Sequence, residues 1–245
     1  MTILTTEIAL NPDPVVLFAP DRRLSRSGRR VSDRRKIFCS PSGRVGIGYF
    51  GLAEFQGVQH RWMDEWLRDF IARNTAPATV GDLASALAQD LNRDVPRADR
   101  DKEISGFHLG GLRSGDDAPE FWSVSNLWAD GGTINSAGYS ANDDFQGRDA
   151  ANLPAGAVQI YRNGDLRVHA QTWEQRDQIF GPQVRLPGFA MGEGPQGHMR
   201  WVQFKMDTLV RFYEQFATVS IVGKPVDVFA ITRAGVISPP GTDCR

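Results

Sequence analysis

The sequence predicts one α+β domain over residues 1–245, with helices packed on antiparallel sheet. Three observations carry this: two-residue alternation at the very N-terminus, a pair of helix-period stretches placed between strand-like segments, and a long amphipathic helix followed by a buried strand. No internal repeat or low-complexity block divides the 245 residues, and that length is ample for one substantial core.

Residues 4–10 place Leu4, Thr6, Ile8 and Leu10 on one face and Thr5, Glu7 and Ala9 on the other, the period of a strand. Asn11-Pro12-Asp13-Pro14 is a turn by its chemistry, and Val15-Val16-Leu17-Phe18-Ala19 reads as the buried return strand. Residues 22–36 carry Arg22, Arg23, Arg26, Arg29, Arg30, Arg34, Arg35 and Lys36 against a single acid, Asp33, without helix patterning. Such a run reads as a solvated loop, and a contact with a neighbouring subunit suits it better than nucleic acid, since no aromatic residue interrupts it to stack a base. Strands follow over 36–40 and 44–50, where Gly46, Gly48 and Gly51 permit close approach to the backbone.

Helices are predicted over 58–74, with Trp62, Trp66 and Phe70 on one face, and over 79–92, with Val80, Leu83, Leu87 and Leu91. Thr79 and Asp82 form a capping-box start for the second. Residues 104–112 and 121–127 read as paired strands. The stretch 128–197 is rich in Gly, Asn and Pro and offers only a hairpin around Arg162-Asn163-Gly164-Asp165. A helix over 198–218 and a strand over 226–232 complete the chain.

Composition narrows the function classes. Lys and Arg total 28 against 29 Asp and Glu, for a formal charge of -1, so no global field selects nucleic acid or an anionic membrane. The four histidines, His60, His108, His169 and His198, lack ligand spacing and read as ordinary structural residues, so no metal or other cofactor is expected. The two cysteines, Cys39 and Cys244, lie far apart without a CxxC pattern, which suggests neither a disulfide framework nor zinc and a reducing, cytoplasmic setting. No signal-peptide pattern and no apolar run of membrane-spanning length occurs.

The stretches TTEIAL, VVLFAPDRRLS, KIF, VGIGYFGLAEF, FHLGGLRSGDDAPEFWSVS and VGKPVDVFAITRAGV follow one another in an order that resembles the proteasome β-subunit family of N-terminal-nucleophile hydrolases, including its bacterial proteasome-like peptidases. The resemblance implies a four-layer αββα sandwich, a peptide or protein substrate, threonine-type endopeptidase chemistry and assembly into a homo-oligomeric ring, with any ATPase or other regulator left open. It also implies the site. An N-terminal threonine is the nucleophile, its own α-amine the base, and Thr5 or Thr2 is the candidate: Thr5 has the family's spacing to Asp21, while removal of Met1 alone exposes Thr2. Lys36 and Asp21 are the supporting ammonium and carboxylate, Gly48 the oxyanion N–H, Arg23 and Ser25 the supporting and substrate-backbone contacts, and Ser136 a looser match to a supporting serine. The chemistry suits these residue types, because an α-amine titrates near pH ~7.7–8.0 and a nearby ammonium favours both the free amine and a developing alkoxide. The family's acid before the last glycine is missing from Ala217-Thr218-Val219-Ser220-Ile221-Val222-Gly223, so a non-catalytic ring-forming scaffold is the alternative, and a small-molecule amidase a third class.

Overall fold

The computed structural model describes residues 3–10, 13–26, 29–57, 59–75, 79–127, 133–150, 152–153, 157–164, 166–183, 194–218 and 222–238. The chain is α+β, built on two five-stranded antiparallel sheets. The first contains β1 (Ile3–Ala9), β2 (Val15–Pro20), β12 (Val158–Gly164), β13 (Phe229–Thr232) and β14 (Gly235–Ile237), in the order β12-β1-β2-β13-β14. The second contains β5 (Ile37–Cys39), β6 (Val45–Phe50), β9 (Gly106–Leu112), β10 (Pro119–Ser125) and β11 (Ser140–Phe145), in the order β11-β10-β9-β6-β5. Two ribbons stand apart: β3 (Arg23–Arg26) with β4 (Arg29–Asp33), and β7 (Glu54–Gln56) with β8 (His60–Trp62).

Three apolar clusters set the layering. Ile8, Val16, Phe18 and Phe229 of the first sheet meet Ile37, Leu112 and Phe121 of the second, so the sheets face one another. Phe38, Ile47, Tyr49 and Phe107 pack under helices α1 (Met63–Arg73) and α2 (Val80–Asp94), while a short turn of helix, α3 (Arg97–Arg100), follows. Ile3, Val15 and Leu17 pack under α5 (Leu166–Phe180) and α6 (Gly194–Phe216), through Trp173 and the buried stripe Met199, Val202, Met206, Leu209 and Tyr213. The brief α4 (Gly147–Ala150) follows β11 in the chain.

The glycines of β6 and β9 explain how closely the sheets approach. A Cβ on Gly46 would lie 2.6 Å from the Phe18 ring, one on Gly48 2.8 Å from Leu4, and one on Gly110 2.8 Å from Val16. The backbone approach expected at Gly46 and Gly48 is thus made by core side chains of the opposite sheet. At Gly111 the obstacle is backbone, since a Cβ would sit 2.2 Å from the Arg44 carbonyl oxygen. Gly111→Ala is therefore expected to cost about 1–3 kcal/mol by forcing β6 and β9 apart, read as a lowered denaturation midpoint; an unchanged midpoint refutes this account of the pairing.

Several boundaries differ from the sequence reading. The arginine-rich segment forms the β3–β4 ribbon instead of a loop, because its backbone groups pair with each other even though its side chains lack apolar alternation. The first helix begins at Met63, not 58: Trp62 is extended and its strand β8 pairs with β7. The second helix keeps its predicted cap, with Thr79 Oγ1 accepting from the Asp82 N–H and the Asp82 carboxylate from the Thr79 N–H. Among the described residues no hairpin forms around Gly164, and Asp165 lies outside them. Gly164, at φ +103°, ends β12, which runs antiparallel to β1, and α5 begins at Leu166. Helix α5 leaves no clear helical period in the sequence because its apolar residues are scattered among polar ones.

Cys39, buried in β5, is disulfide-bonded, contrary to the expectation of two unbridged cysteines. The sequence holds one other cysteine, Cys244, outside the described residues. Separation along the chain says little about proximity in space, which is what a bridge requires. Among the described residues no helix is long and apolar enough to cross a membrane.

Candidate active site

Asp21 leaves the end of β2 and Lys36 enters β5, so the two sheets bring together a carboxylate and an ammonium that stand 15 residues apart in the chain. Both are fully buried. Lys36 Nζ donates to Asp21 Oδ1 at 3.1 Å and to the Arg23 carbonyl oxygen at 2.7 Å. Asp21 Oδ1 also accepts the Ile3 N–H at 3.0 Å, and Oδ2 accepts the Gly223 N–H at 3.3 Å. A buried carboxylate with three donors is satisfied on both oxygens, which is what permits an ion pair away from water. Burial pushes the Asp21 carboxyl up and the Lys36 ammonium down, while their mutual attraction opposes both shifts.

The other sequence-predicted residues divide into near and far. Gly48 lies opposite Ile37, the residue after Lys36, and the next residue, Tyr49, donates its N–H to the Lys36 carbonyl at 2.9 Å. Arg23 contributes its carbonyl to Lys36, and its guanidinium crosses Gly223: Nη1 donates to the Val222 carbonyl at 3.1 Å, and a Cβ on Gly223 would lie 2.0 Å from the Arg23 Cζ. Ser25 pairs with Arg30 within the β3–β4 ribbon, and its side chain is outside the description. Ser136 is exposed in a turn whose neighbour Tyr139 is hydrogen-bonded to Asn92 of α2, on the other helix pair. The structure does not bring it to Asp21 and Lys36.

Thr5 is also separate. It lies inside β1, paired on one side with Ala19 and on the other with Arg162, and its hydroxyl is 2.9 Å from His169 Nε2 on α5. Strand alternation sends Thr5 and Glu7 towards the α5–α6 side, whereas Leu4, Thr6 and Ile8 face the second sheet. The Asp21 carboxylate instead meets β1 at the N–H of Ile3, the residue after Thr2. Thr2 itself lies outside the described residues.

No family model and no curated protein matches the chain. The site therefore rests on its own geometry.

A surface cleft of about 740 Å³ is bordered by Phe55, Gln59, Arg61, Trp66, Arg93 and Asp94, and neither Asp21 nor Lys36 lines it. Its charges are answered locally: Asp94 accepts the Trp66 indole N–H at 2.9 Å and Arg93 Nε at 2.7 Å.

Sequence reasoning missed a larger buried network on the other face of β1. Glu7 accepts from Trp173 Nε1 at 2.9 Å and Lys205 Nζ at 2.8 Å, and its other oxygen lies 2.6 Å from His198 Nε2. Lys205 Nζ also donates to both oxygens of Asp177 at 3.1 Å and lies 4.4 Å from the centre of the Trp173 ring. The available signal was Glu7 itself, a charged residue in a strand otherwise made of small and apolar side chains. His108 is a third buried polar centre, taking Thr6 Oγ1 at 2.8 Å and Asn163 Oδ1 at 2.5 Å.

These groups predict acid lability. Burial lowers His108 from 6.5 to about 4 and His169 from 6.5 to about 3, so both are neutral when folded and gain protons more readily when unfolded. Stability is thus full above pH ~6.5 and falls as pH drops below it, the loss from each histidine growing until the pH reaches its folded value. Glu7, which its His198 and Lys205 partners lower from 4.5 to about 2 against the opposing effect of burial, adds a loss below pH ~4.5. The melting temperature should decline from pH 6.5 to 4; a flat profile over that interval contradicts the assignment of neutral buried histidines.

Proposed function

We propose that the protein is a proteasome-like threonine hydrolase of peptide or amide bonds, with Thr2 as the nucleophile once its α-amine is freed. The observation that carries this is the meeting of Lys36, Asp21 and the Ile3 backbone, one residue from Thr2. Two facing sheets with helix pairs on their outer sides support the four-layer αββα sandwich of N-terminal-nucleophile hydrolases.

In this reading the threonine hydroxyl attacks the substrate carbonyl, and the α-amine takes the hydroxyl proton. Lys36 stabilises the developing negative charge, with Asp21 and the Arg23 carbonyl fixing its ammonium. The amine returns its proton to the leaving nitrogen, and water then cleaves the acyl-enzyme; Gly48, the oxyanion donor that the resemblance implies, has its backbone paired in the sheet on both sides, against Ile37 and His108. The resemblance makes Ser25 a substrate-backbone contact and Arg23 a supporting residue, and the Arg23 carbonyl is bonded to Lys36.

Assembly into a homo-oligomeric ring belongs to the same reading. Its support is an aromatic surface on α5 and α6, where Phe180, Phe204, Phe212 and Phe216 are exposed, the last by 70%. A cytoplasmic setting also belongs to it, although the Cys39 disulfide weighs against that part, since such bonds persist in oxidising compartments.

The non-catalytic scaffold keeps one specific observation in its favour: residues 217–222 contain no acid, and the Arg23 guanidinium occupies the space beside Gly223. Intact-mass measurement before and after a threonine-directed β-lactone separates the two. A chain beginning at Thr2 that gains one probe mass supports the hydrolase; a chain that retains Met1 and takes up no probe supports the scaffold.

A further inference from the structure

The segment after the missing acid is fastened to the Asp21 region by a dense set of polar contacts. Arg22 N–H donates to the Pro225 carbonyl at 2.9 Å and Asp227 N–H to the Pro20 carbonyl at 3.1 Å, on either side of a bridge between Asp21 and Val226. The Arg22 guanidinium then closes on the Asp227 carboxylate with two parallel bonds, Nε to Oδ2 at 2.6 Å and Nη2 to Oδ1 at 2.7 Å. Asp227 is only 3% exposed, so it depends on this partner. The same segment delivers the Gly223 N–H to Asp21 Oδ2.

We propose that Arg22 and Asp227 are positioning residues of the Asp21–Lys36 pair: their forked contact holds residues 222–227 against the end of β2, and this keeps the Gly223 N–H on Asp21. The functional meaning rests on the hydrolase reading, whereas the geometry stands without it. A fork suits the task because it fixes the angle as well as the distance between two segments, which a lysine in place of Arg22 could not do. The pair also belongs to the charge environment of Lys36, which is faced by the carboxylates of Asp21, Asp33 and Asp227, the last neutralised by Arg22. Removing Arg22 leaves the Asp227 charge acting on Lys36, and removing the charge of Asp227 leaves that of Arg22.

Two readouts on the full chain test this without reference to turnover. Amide exchange at Gly223 should accelerate at least about tenfold in Arg22→Gln, relative to Phe229 and Ile231 in β13 as internal controls for global opening. Carbon-labelled lysine NMR follows only four side chains. The Lys36 midpoint should move up in Arg22→Gln and down in Asp227→Asn. Arg22→Lys, which keeps the charge but loses the fork, should loosen Gly223 with a smaller displacement of the midpoint, and it serves if Arg22→Gln does not fold. Unchanged Gly223 exchange relative to the controls, together with an unmoved Lys36 midpoint, overturns the proposal. Loosened exchange and moved midpoints in a protein whose wild type takes up no β-lactone leave the positioning role intact and defeat the hydrolase reading instead.

Discussion

Thr2→Ala is expected to abolish covalent labelling by a threonine-directed probe and to reduce hydrolysis by at least about 10³-fold, the scale on which loss of a nucleophile acts. Thr5→Ala should leave labelling within a few-fold of wild type. Its cost falls on stability, about 1–3 kcal/mol, because His169 Nε2 loses its hydrogen-bond partner inside the fold. The contrast follows from strand alternation: Thr5 faces α5, while the Asp21 carboxylate that holds Lys36 meets the chain at Ile3. Labelling rates and melting curves on both variants decide the matter. Loss of labelling in a folded Thr5→Ala, with Thr2→Ala unaffected, would return the nucleophile to Thr5.

Lys205→Met should produce the largest loss of stability. The ammonium is 1% exposed and answers two carboxylates, Glu7 and Asp177, so its removal leaves Glu7 dependent on His198 and Trp173. Breaking a buried pair from one side costs about 3–5 kcal/mol, or a fall in melting temperature on the order of 10 °C for a chain of this size. Adding Glu7→Gln removes the stranded charge and should recover part of that loss. A single variant that melts within ~2 °C of wild type would show that the Glu7–Lys205 contact contributes little; a double variant no more stable than the single would show that the stranded carboxylate is not the source of the cost.

Much of the strand framework was legible because sheet burial leaves a local mark. The alternation of β1, the apolar run of β2 and the Thr79–Asp82 cap each report on neighbours only a few residues away. The β3–β4 ribbon and the β7–β8 hairpin were not legible, since their short strands lack an apolar face and their pairing is a backbone property. Helix α5 was hidden for a related reason: it turns charged and polar residues such as His169, Arg176 and Asp177 towards a polar network instead of an oily surface.

The candidate site divides the same way. By itself the sequence determined the residue types and their order: an unusual lysine among arginines at 36, an acid at 21, glycines at 46 and 48, and no acid in 217–222. Those follow from composition and local pattern. Only the tertiary structure decided which of them meet, because side-chain direction depends on the register of β1 and on which sheet each strand joins. A shift of one residue along a strand reverses its faces. That is why Asp21 and Lys36 come together beside Ile3, why Thr5 is turned away to His169, and why the Arg22–Asp227 fork, spanning nearly the whole chain, could not be read from any local spacing.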